Sequence, residues 1–258
     1  MMAVVADLRR DIGRFLKMGR FSESDREGDL RFYSSGFMPH VVAATGGFSR
    51  EEAERSVGAL VGRFNPDLIV SAGFASSANK SLATGGIVIC DRIMAVDGPA
   101  YSWRMSDALE IETDPSIVER VYRQMTILGV TFDMGACITL PQTIVNSPMK
   151  EWLGRTFDAS AADLEGYWTA SVVQEFRLPC MPVMAIVDTM EQDVTLRAAE
   201  ALRQPPARRA LNSLGYVAGN PVRLAEVAKL SSQAGKARKS LAQFLYRLGR
   251  TRVAIGEN

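Results

Sequence analysis

Among 258 residues the chain has a single histidine, His40, only three cysteines, and no run approaching the roughly 20 apolar residues that cross a bilayer. One histidine excludes mechanisms that need a histidine pair. With thiols this scattered, it also argues against a Cys/His zinc set, so no metal is expected. Cys90, Cys137 and Cys180 are odd in number, far apart and each inside an apolar run. They are expected to be buried, reduced thiols of a cytoplasmic protein. His40 precedes an apolar run in Met38-Pro39-His40 and is expected to be structural. No targeting segment is expected, because Met1–Asp7 is too short for a signal-peptide core and charges follow at once. Acid–base chemistry in this chain must therefore rest on carboxylates.

A large net charge is also missing, at +1 overall, but the balance is a cancellation. Residues 203–258 hold 11 Lys/Arg against Glu226 and Glu257, a net of +9, which leaves −8 over residues 1–202. The composition shift falls near Gln204-Pro205-Pro206, so the expected organisation is an α/β domain over 1–202 and a basic helical extension over 203–258. In the extension Leu241, Phe244, Leu245 and Leu248 follow i, i+3, i+4, i+7 spacing, ringed by Lys236, Arg238, Lys239, Arg247, Arg250 and Arg252. This amphipathic helix either docks on its own acidic body or lies on an anionic membrane surface. Nucleic acid is not expected as a partner, because Phe244 and Tyr246 are the only aromatics near these charges.

What the chain does have is alternation. Short apolar runs at Ala3–Ala6, Val41–Ala44, Leu68–Ala72, Ile87–Cys90 and Val183–Val187 are separated by helical patterns. Ser49-Arg50-Glu51-Glu52 is a capping box that opens a helix ended by Asn65-Pro66-Asp67. Asp114-Pro115 and Ser147-Pro148 start two more helices, the first of which stops at Gly129. Gly73 is expected to break its strand where a backbone could approach a ligand. Strands without a polar face, alternating with helices, indicate a three-layer α/β/α sandwich around a central mixed sheet.

Two acids stand at junctions of this pattern. Glu165, in Asp163-Leu164-Glu165-Gly166, lies where an extended run meets a helix, and Asp188 ends the strand Val183–Val187. Ligands of open α/β sheets gather at the carboxyl ends of strands, so the two could share one ligand. They could equally be a helix-terminus charge and a turn cap. The local pattern leaves both readings open.

The two segments around these acids, Asp163-Leu164-Glu165 and Ala185-Ile186-Val187-Asp188, resemble the paired acidic signature of the purine nucleoside phosphorylase and methylthioadenosine nucleosidase superfamily. Ser71-Ala72-Gly73-Phe74-Ala75-Ser76-Ser77, continuing through Gly85 to Asp91, resembles its glycine-rich segment, and Leu8-Arg9-Arg10-Asp11 its opening motif. Within the superfamily, Leu140-Pro141-Gln142-Thr143-Ile144-Val145, Lys150-Glu151 and the tail around Pro221-Val222-Arg223-Leu224 are similar to the hopanoid-associated phosphorylase branch.

The resemblance implies a nucleoside phosphorylase-type enzyme that cleaves the N-glycosidic bond of a 5′-modified adenosine, adenosylhopane included, with release of adenine. Asp188 would protonate the departing base, and Glu165 would hold the ribose hydroxyls beside Leu164, Gly73, Phe74 and Ala75. Asp11 falls where hydrolytic members orient water. Phosphate or water would meet Gly46 or Gly47, either as part of an anion-friendly turn or beside what is only a turn. Inorganic phosphate is the one co-substrate implied, with no cofactor. A homo-oligomer is implied, together with a small or lipid-linked nucleoside and a cytoplasmic or inner-membrane-surface location. Alternatives are a methylthioadenosine/adenosylhomocysteine-type hydrolase using water, and a non-catalytic binding or scaffold protein. Phe74, Ser76 and Val187 depart from the family pattern and favour the last.

Overall fold

The computed structural model describes residues 1–46, 49–195 and 221–251, with side chains of the last segment described from residue 225. Ten strands form one mixed sheet. They are β1 (Met2–Ala6), β2 (Ser22–Glu27), β3 (Leu30–Ser34), β4 (Val41–Thr45), β5 (Leu68–Ser77), β6 (Ile87–Ala95), β7 (Leu109–Glu112), β8 (Asp133–Thr139), β9 (Ala159–Asp163) and β10 (Cys180–Asp188). The helices are α1 (Arg9–Met18), α2 (Arg50–Phe64), α3 (Pro115–Ile127), α4 (Ser147–Phe157), α5 (Gly166–Glu175) and α6 (Pro221–Arg250).

β1 lies between β4 and β5 and runs parallel to both, and β5 runs parallel to β10. β10 turns antiparallel onto β6, β6 pairs parallel with β8, β8 with β9, and β9 returns antiparallel to β5. The pairings of β5, β10, β6, β8 and β9 thus close on themselves, while β4, β3 and β2 extend the sheet as an open wing. Register slips inside β10, β6 and β8–β9 accompany this closure. An extra residue in one strand bends it and increases its twist, which a sheet needs to curl.

The apolar runs behave as their lack of a polar face predicts: every residue of β1 and β4 is buried. Three strands run differently from the expectation. β5 does not break at Gly73 but continues to Ser77, because pairing with β10 and then β9 supplies partners to its end. β6 likewise runs on past Cys90 to Ala95. β2, Ser-Glu-Ser-Asp-Arg-Glu, is exposed throughout and has no apolar alternation from which it could be recognised.

The capping box forms as expected: Ser49 Oγ accepts from Glu52 N at 3.2 Å, and Glu52 returns the bond to Ser49 N at 3.0 Å. α2 then ends with Asn65 in the left-handed region, its N–H on Val61 O. Asp114 caps α3 through Ser116 N, while α4 is capped by Asn146 accepting from Met149 N.

α1, α3 and α6 cover one side of the sheet, and α2 and α5 the other. The apolar stripe of α6 is packed inward. Ala237, Leu241, Phe244, Leu245 and Leu248 share a core with Met2 and Val4 of β1, Phe15 of α1 and Met181 and Val183 of β10. His40 Nε2 bonds the Gly249 carbonyl at 2.7 Å, tying the last turn of α6 to the start of β4. The docked alternative therefore describes this helix: its apolar face is taken by the protein. The residues around the expected boundary at 202/203, with Gly47 and Arg252, lie outside those described. Among the described residues no helix is long and apolar enough to cross a membrane.

Phe244→Ala should cost about 3–5 kcal/mol in urea-induced unfolding, because a fully buried ring is deleted where α6 meets the sheet.

Candidate active site

A cavity of about 160 Å³ opens where the carboxyl ends of β1, β5, β9 and β10 meet the inner face of α6. Five acids line it: Asp7, which follows β1, Asp11 from α1, Asp163 and Glu165 from the β9–α5 junction, and Asp188 from β10. The structure thus brings Glu165, Asp188 and Asp11 together, with Leu164, Phe74 and Ala75 in the same wall.

Asp188 is aimed by the sheet itself. β10 pairs residue by residue with β5 until Ile186 opposes Ala75; the register then slips, and Asp188 rather than Val187 opposes Ser76. Ser76 Oγ donates to Asp188 Oδ1 at 2.9 Å. Lys150 Nζ donates to Asp188 Oδ2, and also to the carbonyls of Thr189 at 3.0 Å and Gln192 at 2.7 Å. Lys150 has no exposed surface. Burial of Asp188 raises its proton affinity above the ordinary aspartate value, against a smaller opposing pull from Lys150 and Ser76.

Glu165 is placed by its neighbour. Asp163 accepts from Gly166 N at 2.6 Å and from Thr139 Oγ1 at 2.5 Å, and the Thr139 hydroxyl in turn accepts from Tyr167 N at 2.9 Å. Asp163 therefore does the work of an N-cap for α5, and Glu165, at the first position before the helix, is directed toward β5. The turn needs Gly166, since a Cβ there would stand 2.7 Å from Asp163 Oδ2 and 2.6 Å from Met184 Cε. Gly73 lies beside Glu165: a Cβ on it would sit 3.6 Å from Glu165 Oε1 and 3.2 Å from Met184 Sδ. Gly73 thus lies within ordinary contact distance of the Glu165 carboxylate.

Asp11 lies between two guanidinium groups, 3.6 Å from Arg10 Nε and 3.9 Å from Arg238 Nε. Burial raises its proton affinity more than these two cations lower it. The Arg238 guanidinium also stands 5.9 Å from the centre of the Phe74 ring. Gly46 is not among the described residues lining the cavity; it has a positive φ of 153° and its N–H goes to the Ala6 carbonyl at 3.3 Å. No three His, Cys, Asp or Glu side chains among the described residues converge as a metal-binding set. The Cys137 thiol is pushed well above its ordinary range, with the Cys90 hydrogen bond the largest cause, and burial pushes Cys180 up to about 12; neither is a reactive thiolate.

Sequence reading passed over Ser76 as a partner of Asp188, Lys150 and Arg10 as site residues, and the wall supplied by α6 through Leu230, Ala234 and Arg238. For Lys150 a signal exists. It shares the buried face of α4 with Leu153 and Phe157, at i, i+3, i+7, where a lysine is out of place unless something inside receives its charge.

The raised proton affinity of Asp11 has a testable sign. An acid that binds its proton more tightly folded than unfolded stabilises the fold fully below its unfolded value, 3.8, and loses that contribution as pH rises through the folded value. Unfolding free energies measured from about pH 4 to pH 7 should therefore shift steadily in favour of Asp11→Asn relative to wild type. At the other carboxylate, Gly73→Ala should weaken ligand binding through Glu165, read as a higher KM with kcat less affected.

The family model of the phosphorylase superfamily matches residues 3–211. A 5′-methylthioadenosine/S-adenosylhomocysteine nucleosidase of Listeria monocytogenes is 23% identical over 185 residues, 66% of this chain and 78% of that protein. Its counterpart in Listeria welshimeri is 26% identical over the same shares. Among solved structures, futalosine hydrolase of Helicobacter pylori superposes with a TM-score of 0.72 at 17% identity, over 96% of each chain. A 5′-methylthioadenosine/S-adenosylhomocysteine nucleosidase of the same organism gives 0.68 at 17%, over 95% of this chain and 97% of that one. The structural likeness carries the fold, and the match across residues 3–211 carries the family: the chain belongs to the phosphorylase superfamily.

Proposed function

We propose that the protein is a nucleosidase that cleaves the N-glycosidic bond of a 5′-modified adenosine with water, releasing adenine. The observation that carries this is the convergence of Asp188, buried and with raised proton affinity, and Glu165 in one cavity at the strand ends. A carboxyl group suited to donating a proton thus faces a carboxylate suited to holding a sugar, the division of labour that pairs of acids support.

In this reading the C1′–N9 electron pair leaves with the base while Asp188 gives its proton to N7, so the departing purine is neutral. Positive charge spreads over the ribose, where Glu165 accepts from the 2′- and 3′-hydroxyls and stabilises the cation. Water adds to C1′, and its proton passes to Asp11. The reading is supported by the relatives' names, which are 5′-methylthioadenosine/S-adenosylhomocysteine nucleosidases. Phe74, Val194, Leu230 and Ala234 give the cavity an apolar side for the 5′ substituent.

A lipid-linked substrate such as adenosylhopane, taken from a membrane surface, would need the apolar stripe of α6 at the lipid. That stripe is packed in the core, so the substituent proposed is a small one. A second reading, with inorganic phosphate as nucleophile, is favoured by Arg10 and Arg238 in the cavity wall.

Adenine release from 5′-methylthioadenosine, measured with and without phosphate, tests both readings. Release independent of phosphate is expected. Strict dependence would select the phosphorylase, and no release from any 5′-substituted adenosine would favour a binding protein. Asp188→Asn should lower kcat by about 10²- to 10⁴-fold.

A further inference from the structure

Asp188 is held by two different kinds of donor, one on each oxygen. Lys150 belongs to α4 and reaches Oδ2 from a position with no exposed surface. Its three N–H donors are all used, on Asp188 and on the carbonyls of Thr189 and Gln192, so it has no freedom to turn. Ser76 reaches Oδ1 with a hydroxyl, which can rotate and accept as readily as it donates. A fixed donor therefore stands on one edge of the carboxyl group and a reversible one on the other.

We propose that Lys150 and Ser76 are positioning residues that divide the two oxygens of Asp188 between them, Lys150 anchoring Oδ2 and Ser76 serving Oδ1 in both of its protonation states. The inference rests on the nucleosidase reading above. When Asp188 carries its proton, that proton sits on Oδ1, because Oδ2 already faces an ammonium group. As the O–H bond breaks, the proton forms the N7–H bond and the C1′–N9 electron pair passes to the base. The Ser76 hydroxyl then donates to the Oδ1 left behind. Asp188 alternates between acid and carboxylate without moving.

Energetics favour a functional origin for the pair. Burying an ion pair costs desolvation on both sides, and an apolar pair of similar volume commonly packs as well or better. The buried face of α4 otherwise holds Leu153 and Phe157 and could have been completed by a third apolar residue. The lysine also binds the acid to the chain that follows it, since Thr189 and Gln192 belong to the segment leading away from β10. Gln192 continues the connection to Gln233 of α6 at 2.6 Å. Placement of Asp188 is thereby coupled to the helix that walls the cavity.

The pH dependence belongs to this pair in a setting of other charges. Asp7, Arg10, Asp11, Asp163, Glu165 and Arg238 share the cavity with Asp188, while Glu151, next to Lys150, turns outward to Lys80 at 3.8 Å. Of the charged groups around it, Lys150 is the cation that touches Asp188. An opposite charge in contact lowers a carboxyl pKa by about 1–3 units, so its loss should move the basic limb of kcat upward by about that amount.

The test compares wild type, Lys150→Gln, Lys150→Arg and Ser76→Ala in adenine release from 5′-methylthioadenosine across pH. Lys150→Gln should lower kcat at least about tenfold with a smaller change in KM, and move the basic limb up. Lys150→Arg should keep the limb near its wild-type position, and Ser76→Ala should move it in the same direction by less. An unmoved limb in Lys150→Gln, or an equal shift in Lys150→Arg, overturns the proposal.

A second measurement needs no turnover. The difference in unfolding free energy between wild type and Asp188→Asn is followed with pH, in the native and the Lys150→Arg and Ser76→Ala backgrounds. Asp188 loses its stabilising contribution as pH rises through its folded value, and that loss should come at higher pH in Ser76→Ala but not in Lys150→Arg. Absence of release from every 5′-substituted adenosine would defeat the nucleosidase reading, and the unfolding series would then decide the Asp188 clamp by itself.

Discussion

Residues of β5 and β10 run side by side in parallel from Ile69 and Cys180 until the register slips at Val187, and much of the molecule is organised by that pairing. It joins the open wing of β1 and β4 to the strands that close around β6, β8 and β9. It supplies the floor on which α6 packs through Leu241 and Phe244. Its last pair sets Asp188 opposite Ser76 rather than one residue earlier. A slip of one residue in a strand reverses the direction of its side chains, so the same irregularity that bends the sheet turns an acid into the cavity.

The cavity shows how buried charge is kept tolerable. Asp163 receives backbone and hydroxyl donors, Asp11 sits between Arg10 and Arg238, and Asp188 takes Ser76 and Lys150. Each acid has a different kind of partner, and the partners suit different tasks. Backbone N–H groups fix Asp163 as a helix cap with no freedom left for chemistry. A rotating hydroxyl leaves Asp188 able to change protonation state. Two of the departures from the family pattern have a definite place in three dimensions: Ser76 supplies a hydrogen bond to Asp188, and Val187 lies at the register slip.

Much of this was legible from residues alone. The capping box at Ser49, the Asp114-Pro115 helix start and the fully buried strands follow from local stereochemistry and from the absence of polar faces, and each is present. The pairing of Glu165 with Asp188 was legible through the resemblance and not through local pattern, which fitted caps equally well. β2 was not legible, because an exposed edge strand of charged residues has no periodicity to follow. Nor was the length of β5, because Gly73 weakens a strand locally while partners on both sides restore it.

The basic end of the chain separates the two kinds of knowledge most clearly. Its charge of +9 and the stripe of Leu241, Phe244, Leu245 and Leu248 are properties of the sequence, and they establish an amphipathic helix. They do not say what the stripe meets. That was decided by the sheet, whose β1 and β10 present an apolar face that this helix covers together with α1 and α3. The single histidine is similar: its rarity pointed to carboxylate chemistry, while its bond to Gly249 could come only from the fold. Sequence by itself determined which elements form, because capping, periodicity and composition act over a few residues. Tertiary structure decided which acids face each other and what holds them, because those contacts join residues such as Ser76, Lys150 and Asp188 that lie far apart along the chain.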